Sequence, residues 1–146
     1  MRGAFPVSQR HGDGTSCSIC STRTFASLLS KGTPGIRAKI LTIGLENCFV
    51  PDISIAELYY GAAKSERPEH FEDVDFIVQH FEILSIDPAL EAYGRLKYQL
   101  EKLGQPIDDF DLLIGAIAKQ SSLILVTHNT RHFSHIPELM IEDWLS

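Results

Sequence analysis

The sequence predicts an α/β domain: a parallel sheet of four to five strands with helices on both faces. Three observations carry this. Three short apolar runs read as strands, Cys48–Ile53, Phe81–Leu84 and Leu123–Val126, the last apolar without a break as in a strand buried on both sides. Segments of helical period separate them, and alternation of strand and helix is the mark of a parallel sheet. The chain has 146 residues, 44% hydrophobic and 22% charged, enough for one well-filled core. The expected architecture is a single three-layer α/β/α domain without internal repeats.

The elements follow in order. Residues 1–27 form an irregular lead, rich in Gly, Ser, Thr and Arg, with neither helical nor strand period, and disorder is expected there. The folded domain spans 28–146. "GIRAKILTIGL" places Ile36, Ile40 and Ile43 near one helical face. "CFVPDIS" reads as a buried strand despite Pro51. "SIAELYYGAAKS" and "PEHFEDVDFIVQHF" are helices, the first starting at Ser54, and "FEILSID" is a strand. Pro88 suits the first turn of the next helix and Gly104 its C′ position, with Leu90, Tyr93, Leu96, Leu100 and Leu103 as the apolar stripe between them. "DLLIGAIAKQ" is a helix, "SLILVTHN" a strand, and "ELMIEDWL" an edge strand. In such sheets the site lies beyond the C-terminal ends of the strands, which singles out Ser54–Glu57 and Thr127–Asn129.

No apolar run approaches the roughly 20 residues that span a bilayer. The N-terminus lacks the apolar stretch of a secretion signal, so the cytoplasm is the expected compartment. The net charge of −6 argues against a broadly basic nucleic-acid surface. It leaves room for a nucleic-acid enzyme that holds a cation in carboxylates. Cys17 and Cys20 form one CxxC with no second pair, and with Cys48 they are expected to be incidental or structural thiols.

The chemistry-bearing residues each have two readings. Ser54-Ile-Ala-Glu57 has the capping-box spacing, and Asp108-x-x-Asp111 repeats it. Capping is favoured on local grounds. It does not explain three acids, Asp108, Asp109 and Asp111, within four residues, because one cap needs one of them and the others repel. Mg²⁺ or Mn²⁺ would relieve that repulsion, being bound through one or two carboxylates and waters. His128 and His132 have the i, i+4 spacing of a helical zinc pair, but surface histidines in a loop are the favoured reading. Arg131 is a candidate phosphate contact.

The series "SIAELYYGAAKSERPE", "PIDDFDLLIGAIA", "LVTHNTRHF" and "EDWL" resembles the PIN-domain toxins of the VapC family over about Lys31 to Leu145. The resemblance implies a PIN-like fold and a Mg²⁺- or Mn²⁺-dependent ribonuclease, with tRNA a frequent substrate. It also implies a cognate antitoxin and a homodimer. Residue by residue, Glu57 matches the acid of the second motif and Asp111 that of the third, both as metal ligands. Asn129 stands at the often acidic fourth place, which implies an orienting role rather than ligation. Asp108 and Asp109 fall in a variable lead to Asp111.

The first motif departs from the family, which opens on a strand ending in Asp, as in "MLDTDICI". Here "SICSTRTFASLLSKG" offers no expected strand, and no carboxylate lies between Asp13 and Glu46. Codons suggest a cause. Ile19–Ser27 can be written ATA TGC TCG ACA CGG ACA TTT GCA TCx. Read two nucleotides later, that string encodes Met-Leu-Asp-Thr-Asp-Ile-Cys-Ile. The first ~27 residues are therefore expected to be out of frame, with register returning near Leu28–Lys31. Other codons in the genomic DNA would end that reading. Without this acid the ribonuclease is expected to be impaired. The alternative is a non-catalytic member that keeps only its antitoxin and dimer surfaces.

Overall fold

The computed structural model describes residues 18–20 and 34–144. Five strands form one parallel sheet in the order β3-β2-β1-β4-β5: β1 (Ser18–Cys20), β2 (Cys48–Pro51), β3 (Glu82–Leu84), β4 (Ile124–Val126) and β5 (Ile141–Glu142). The helices are α1 (Pro34–Ile43), α2 (Asp52–Ser65), α3 (Pro68–His80), α4 (Leu90–Lys102), α5 (Asp109–Gln120) and the short α6 (Thr130–Phe133).

Side chains alternate between the two faces along the strands, and the sheet divides the core in two. Phe49 and Leu125 point to one face, where they meet Leu96 and Leu100 of α4, Leu112 and Ile117 of α5, and Phe133 of α6. Cys48, Val50 and Val126 point to the other, against Ile36 and Ile40 of α1, Leu58 of α2, and Val74 and Ile77 of α3. That is why "CFV" and "LILV" are apolar without a break: neither face meets water.

Helix α4 ends as its sequence asks. Gly104 has φ +69°, its N–H donates to Glu101 O, and the N–H of Gln105 reaches Leu100 O at 2.8 Å, which together make a Schellman cap. The expected stripe on α4 is only partly buried. Leu96 and Leu100 are in the core, whereas Leu90 and Leu103 are 54% and 67% exposed, because they sit where the helix ends overhang its neighbours. Pro88 falls in a single 3₁₀ turn, Asp87–Ala89, just ahead of α4.

The lead expected to lack structure is corrected at Ser18–Cys20. This segment is the central strand, pairing Ser18 with Cys48 on one side and with Ile124 on the other. Without it, the facing edges of β2 and β4 would each leave a row of backbone groups unpaired in the middle of the sheet. The rest of the expected lead, residues 1–17 and 21–27, lies outside the described residues. The frame-slip reading therefore loses the argument of an absent strand. It keeps the codon string and the missing carboxylate.

Phe133 is 1% exposed and anchors the segment after β4 into the core. Phe133→Ala is expected to cost about 3–5 kcal/mol of stability. A urea titration followed by circular dichroism reads this as a fall in midpoint at unchanged slope.

Candidate active site

Connectivity brings the candidate residues to one end of the sheet. Helix α2 begins at Asp52, directly after the last residue of β2, so its first turns lie at the C-terminal end of the strands. Helix α5 leads into β4 through the turn at Ser121–Leu123, which places its N-terminus at the end where β4 finishes. Thr127–Asn129 leaves β4 at that same end. Helices α2 and α5, which carry Glu57 and Asp111, touch each other.

The structure sorts the three clustered acids. Asp108 is the N-cap of α5, its carboxylate accepting from the Phe110 N–H at 3.2 Å. Asp109 turns outward to α4, where it accepts from Lys97 Nζ and from the Tyr93 hydroxyl, both at 2.9 Å. Asp111, half-buried, faces the segment after β4, with Asn129 Nδ2 donating to its Oδ2 at 3.4 Å. Capping thus accounts for Asp108 and an ion pair for Asp109, while Asp111 turns to Asn129.

Lys97 and its Tyr93 neighbour hold the Asp109 carboxyl below its ordinary value of 3.8, and Asp109, then Tyr93, hold Lys97 above 10.5. The depressed acid contributes stability above pH 3.8 that is lost as pH falls through its folded value. The raised amine contributes below pH 10.5 and is lost as pH rises through its own. The link between α4 and α5 thus persists through the neutral range, although both groups are substantially exposed and water screens the pair. This α4 partnership was invisible in the sequence, since it joins residues 12 and 16 apart on different helices.

The capping-box reading of Ser54 and Glu57 is corrected. The helix starts two residues earlier than expected, with Pro51 as N-cap, so Ser54 lies inside the first turn. Its hydroxyl is fully buried and makes no hydrogen bond. Glu57 sits in the second turn, half-buried, where it has no cap to serve. Asp52 holds the segment after β3 by accepting from the Ile86 N–H at 3.3 Å.

After β4, Thr127 is buried and its Oγ1 accepts from the Asn129 N–H at 3.0 Å. The two histidines of the zinc spacing separate: His128 Nδ1 lies 3.1 Å from Asp143 Oδ2, and His132 Nδ1 lies 3.1 Å from Asn129 Nδ2. Arg131 is exposed on α6. Cys48 is fully buried within a core strand.

Glu57 and Asp111 offer hard oxygen donors of the kind Mg²⁺ or Mn²⁺ takes. In number they fall short of a full protein-held set: among the described residues no group of three His, Cys, Asp or Glu is placed to hold a metal ion. The third acid expected of such a site is the one missing from the sequence.

A separation of roles follows. Asp108→Ala is expected to cost about 1 kcal/mol of stability through the lost cap and to leave Mn²⁺ affinity unchanged. Asp111→Asn is expected to do the reverse. Chemical denaturation and calorimetric Mn²⁺ titration of both variants check this, and a loss of Mn²⁺ affinity on removing Asp108 would overturn it.

Comparison with known proteins agrees with this fold. The family model described as "PIN domain" matches residues 23–139. Among solved structures, the DNA-bound VapBC complex of Salmonella typhimurium superposes with a TM-score of 0.82 at 29% identity, covering 88% of this chain and 98% of the other. VapBC2 of Rickettsia felis gives 0.80 at 28% identity, covering 88% and 98%. The chain belongs to the PIN-domain family. Within it, the chain is a homologue of the VapC toxin–antitoxin ribonucleases. It is 39% identical over 98 residues to "Ribonuclease VapC2" of Haemophilus influenzae, covering 66% of this chain and 74% of the relative. It is 34% identical over 97 residues to "tRNA(fMet)-specific endonuclease VapC" of Shigella flexneri, covering 65% and 74%. No described helix is long and apolar enough to cross a membrane.

Proposed function

We propose that this chain is the toxin of a type II toxin–antitoxin pair, a Mg²⁺- or Mn²⁺-dependent endoribonuclease of three-layer α/β/α PIN architecture acting in the cytoplasm, with tRNA as a candidate substrate. The observation that carries the reading is Asp111. It stands at the head of α5, beyond the C-terminal end of the sheet, turned to Asn129 while its two neighbours take the cap and the ion pair.

In this reading Asp111 and Glu57 hold the cation through carboxylate oxygens. A bound divalent cation supplies an acidified water and neutralises charge on the phosphate. Asn129 orients, and Arg131, exposed beside it, meets an RNA phosphate. The domain runs over 28–146, and β1 joins it from the lead. A cognate antitoxin is the expected protein partner, as in the VapBC complexes that the fold matches, and a homodimer is the expected functional unit.

The chain as it stands is an impaired enzyme in this proposal, because the first-motif acid is absent from residues 14–45. A second reading, a non-catalytic PIN protein that retains its partner surfaces, is favoured because among the described residues no group of three His, Cys, Asp or Glu is placed to hold a metal ion. The test is RNA cleavage by the purified full chain with Mg²⁺, with Mn²⁺ and with chelator. Weak, chelator-sensitive cleavage is expected. Cleavage indifferent to chelator would overturn the metal-dependent reading, and binding of the antitoxin without any cleavage would favour the second.

A further inference from the structure

Asn129 is the N-cap of α6, and asparagine is among the best side chains for that task. Yet its side chain makes no cap hydrogen bond. Its carboxamide has been drawn elsewhere. Nδ2 lies 3.4 Å from Asp111 Oδ2 and 3.1 Å from His132 Nδ1. An amide nitrogen carries two protons, so one can serve each partner. The imidazole then accepts at Nδ1 and carries its own proton on Nε2.

The opposite flip would set the amide oxygen against the carboxylate oxygen of Asp111 and against the lone pair of His132. The contact with Asp111 would be between two acceptors, and the contact with His132 would require its proton to move from Nε2 to Nδ1. Meanwhile the main chain of Asn129 is fixed by buried Thr127, whose Oγ1 accepts its N–H and whose own N–H donates to Glu142 O at 2.9 Å. Phe133, next to His132, is locked in the core. His128 is held away by Asp143. The backbone is thus set by the sheet and the core, and only the rotation of the carboxamide remains to be decided.

We infer that His132 is a positioning residue for the site: it fixes the orientation of the Asn129 carboxamide, keeping Nδ2 on Asp111 and leaving Oδ1 as the acceptor presented to a reacting water. The inference rests on the proposed role of Asp111 as a site carboxylate. It gives His132 a task that the histidine spacing alone did not suggest. It also explains why a neutral amide can serve where an acid is expected: with both N–H groups engaged, its remaining oxygen acts as the acceptor a carboxylate would have been.

The test uses the full ¹⁵N-labelled chain. The Asn129 side-chain amide signals are identified by their loss in Asn129→Ala. His132→Phe keeps a ring but removes the acceptor, and it is expected to speed exchange of those amide protons with water by about fivefold, the factor one neutral hydrogen bond carries. His132→Gln, which can accept through its oxygen, is expected to restore slow exchange. In a chain whose residues 20–27 are replaced by Met-Leu-Asp-Thr-Asp-Ile-Cys-Ile, His132→Phe should lower kcat by about fivefold at constant KM. Adding it to Asn129→Ala should lower kcat no further. Unchanged amide exchange in His132→Phe, or effects of the two substitutions that multiply, overturns the inference. Altered exchange with no cleavage by any version would leave the positioning in place and remove the ribonuclease reading instead.

Discussion

Replacing residues 20–27 by Met-Leu-Asp-Thr-Asp-Ile-Cys-Ile is expected to raise Mg²⁺-dependent RNA cleavage by about 10²-fold or more over the chain as it stands. The reason is topological. β1 lies between β2 and β4, and all three end on the same side. α2, with Glu57, starts directly after β2, and the Asn129 segment starts directly after β4. A carboxylate two positions past the end of β1 is expected to enter between them. It supplies the third acid that the described residues lack. A cation held by three carboxylates is fixed more closely than one held by two, and small displacements of a reacting water cost orders of magnitude in rate. The control is the same replacement carrying Asn instead of Asp at its third position, which should stay at the starting level. Equal cleavage by the given and replaced chains would falsify the assignment of the defect to that acid.

The elements that were legible in the sequence are those whose own residues enforce them. Gly104 after an amphipathic run marks the end of α4 because only a residue at ease with positive φ closes a Schellman cap there. The unbroken apolar runs of β2 and β4 announce burial on both faces, and Ile141–Glu142 is the edge strand expected near the C-terminus.

What was not legible depends on partners distant in sequence. Ser-Ile-Cys at 18–20 has no periodicity to display, and it is a strand because two neighbours require one between them. The start of α2 was misplaced by two residues because Ser54-x-x-Glu57 imitates a capping box, while Pro51, with its fixed φ, already ends the strand. The candidate site was half visible. Asp111 and Asn129 meet through a hydrogen bond between their side chains. The division of labour among Asp108, Asp109 and Asp111 was hidden, since it is set by Lys97 and Tyr93 on another helix.

Asp111→Asn in the replaced chain is expected to abolish both RNA cleavage and stabilisation by Mg²⁺. A ligand that binds only the folded state stabilises it by RT ln(1 + [L]/Kd), about 2.7 kcal/mol at a hundredfold excess over Kd. A cation held by clustered acids is such a ligand, because the carboxylates converge only after folding. In the proposed site Asp111 is the expected central ligand: its helix touches the one bearing Glu57, and its oxygen meets Asn129. Asparagine preserves the size of the side chain and removes one negative charge, so the fold should persist while Mg²⁺ loses a ligand. The measurement is a pair of thermal melts with Mg²⁺ and with chelator, for each chain. The parent should show a rise in Tm with Mg²⁺, and Asp111→Asn should show none. If capping were the only role of the acids at the head of α5, the loss of Mg²⁺ stabilisation would follow Asp108→Ala as readily as Asp111→Asn. The expected pattern is the opposite, with the Asp108 variant melting lower but still responding to Mg²⁺, and the Asp111 variant failing to respond at all.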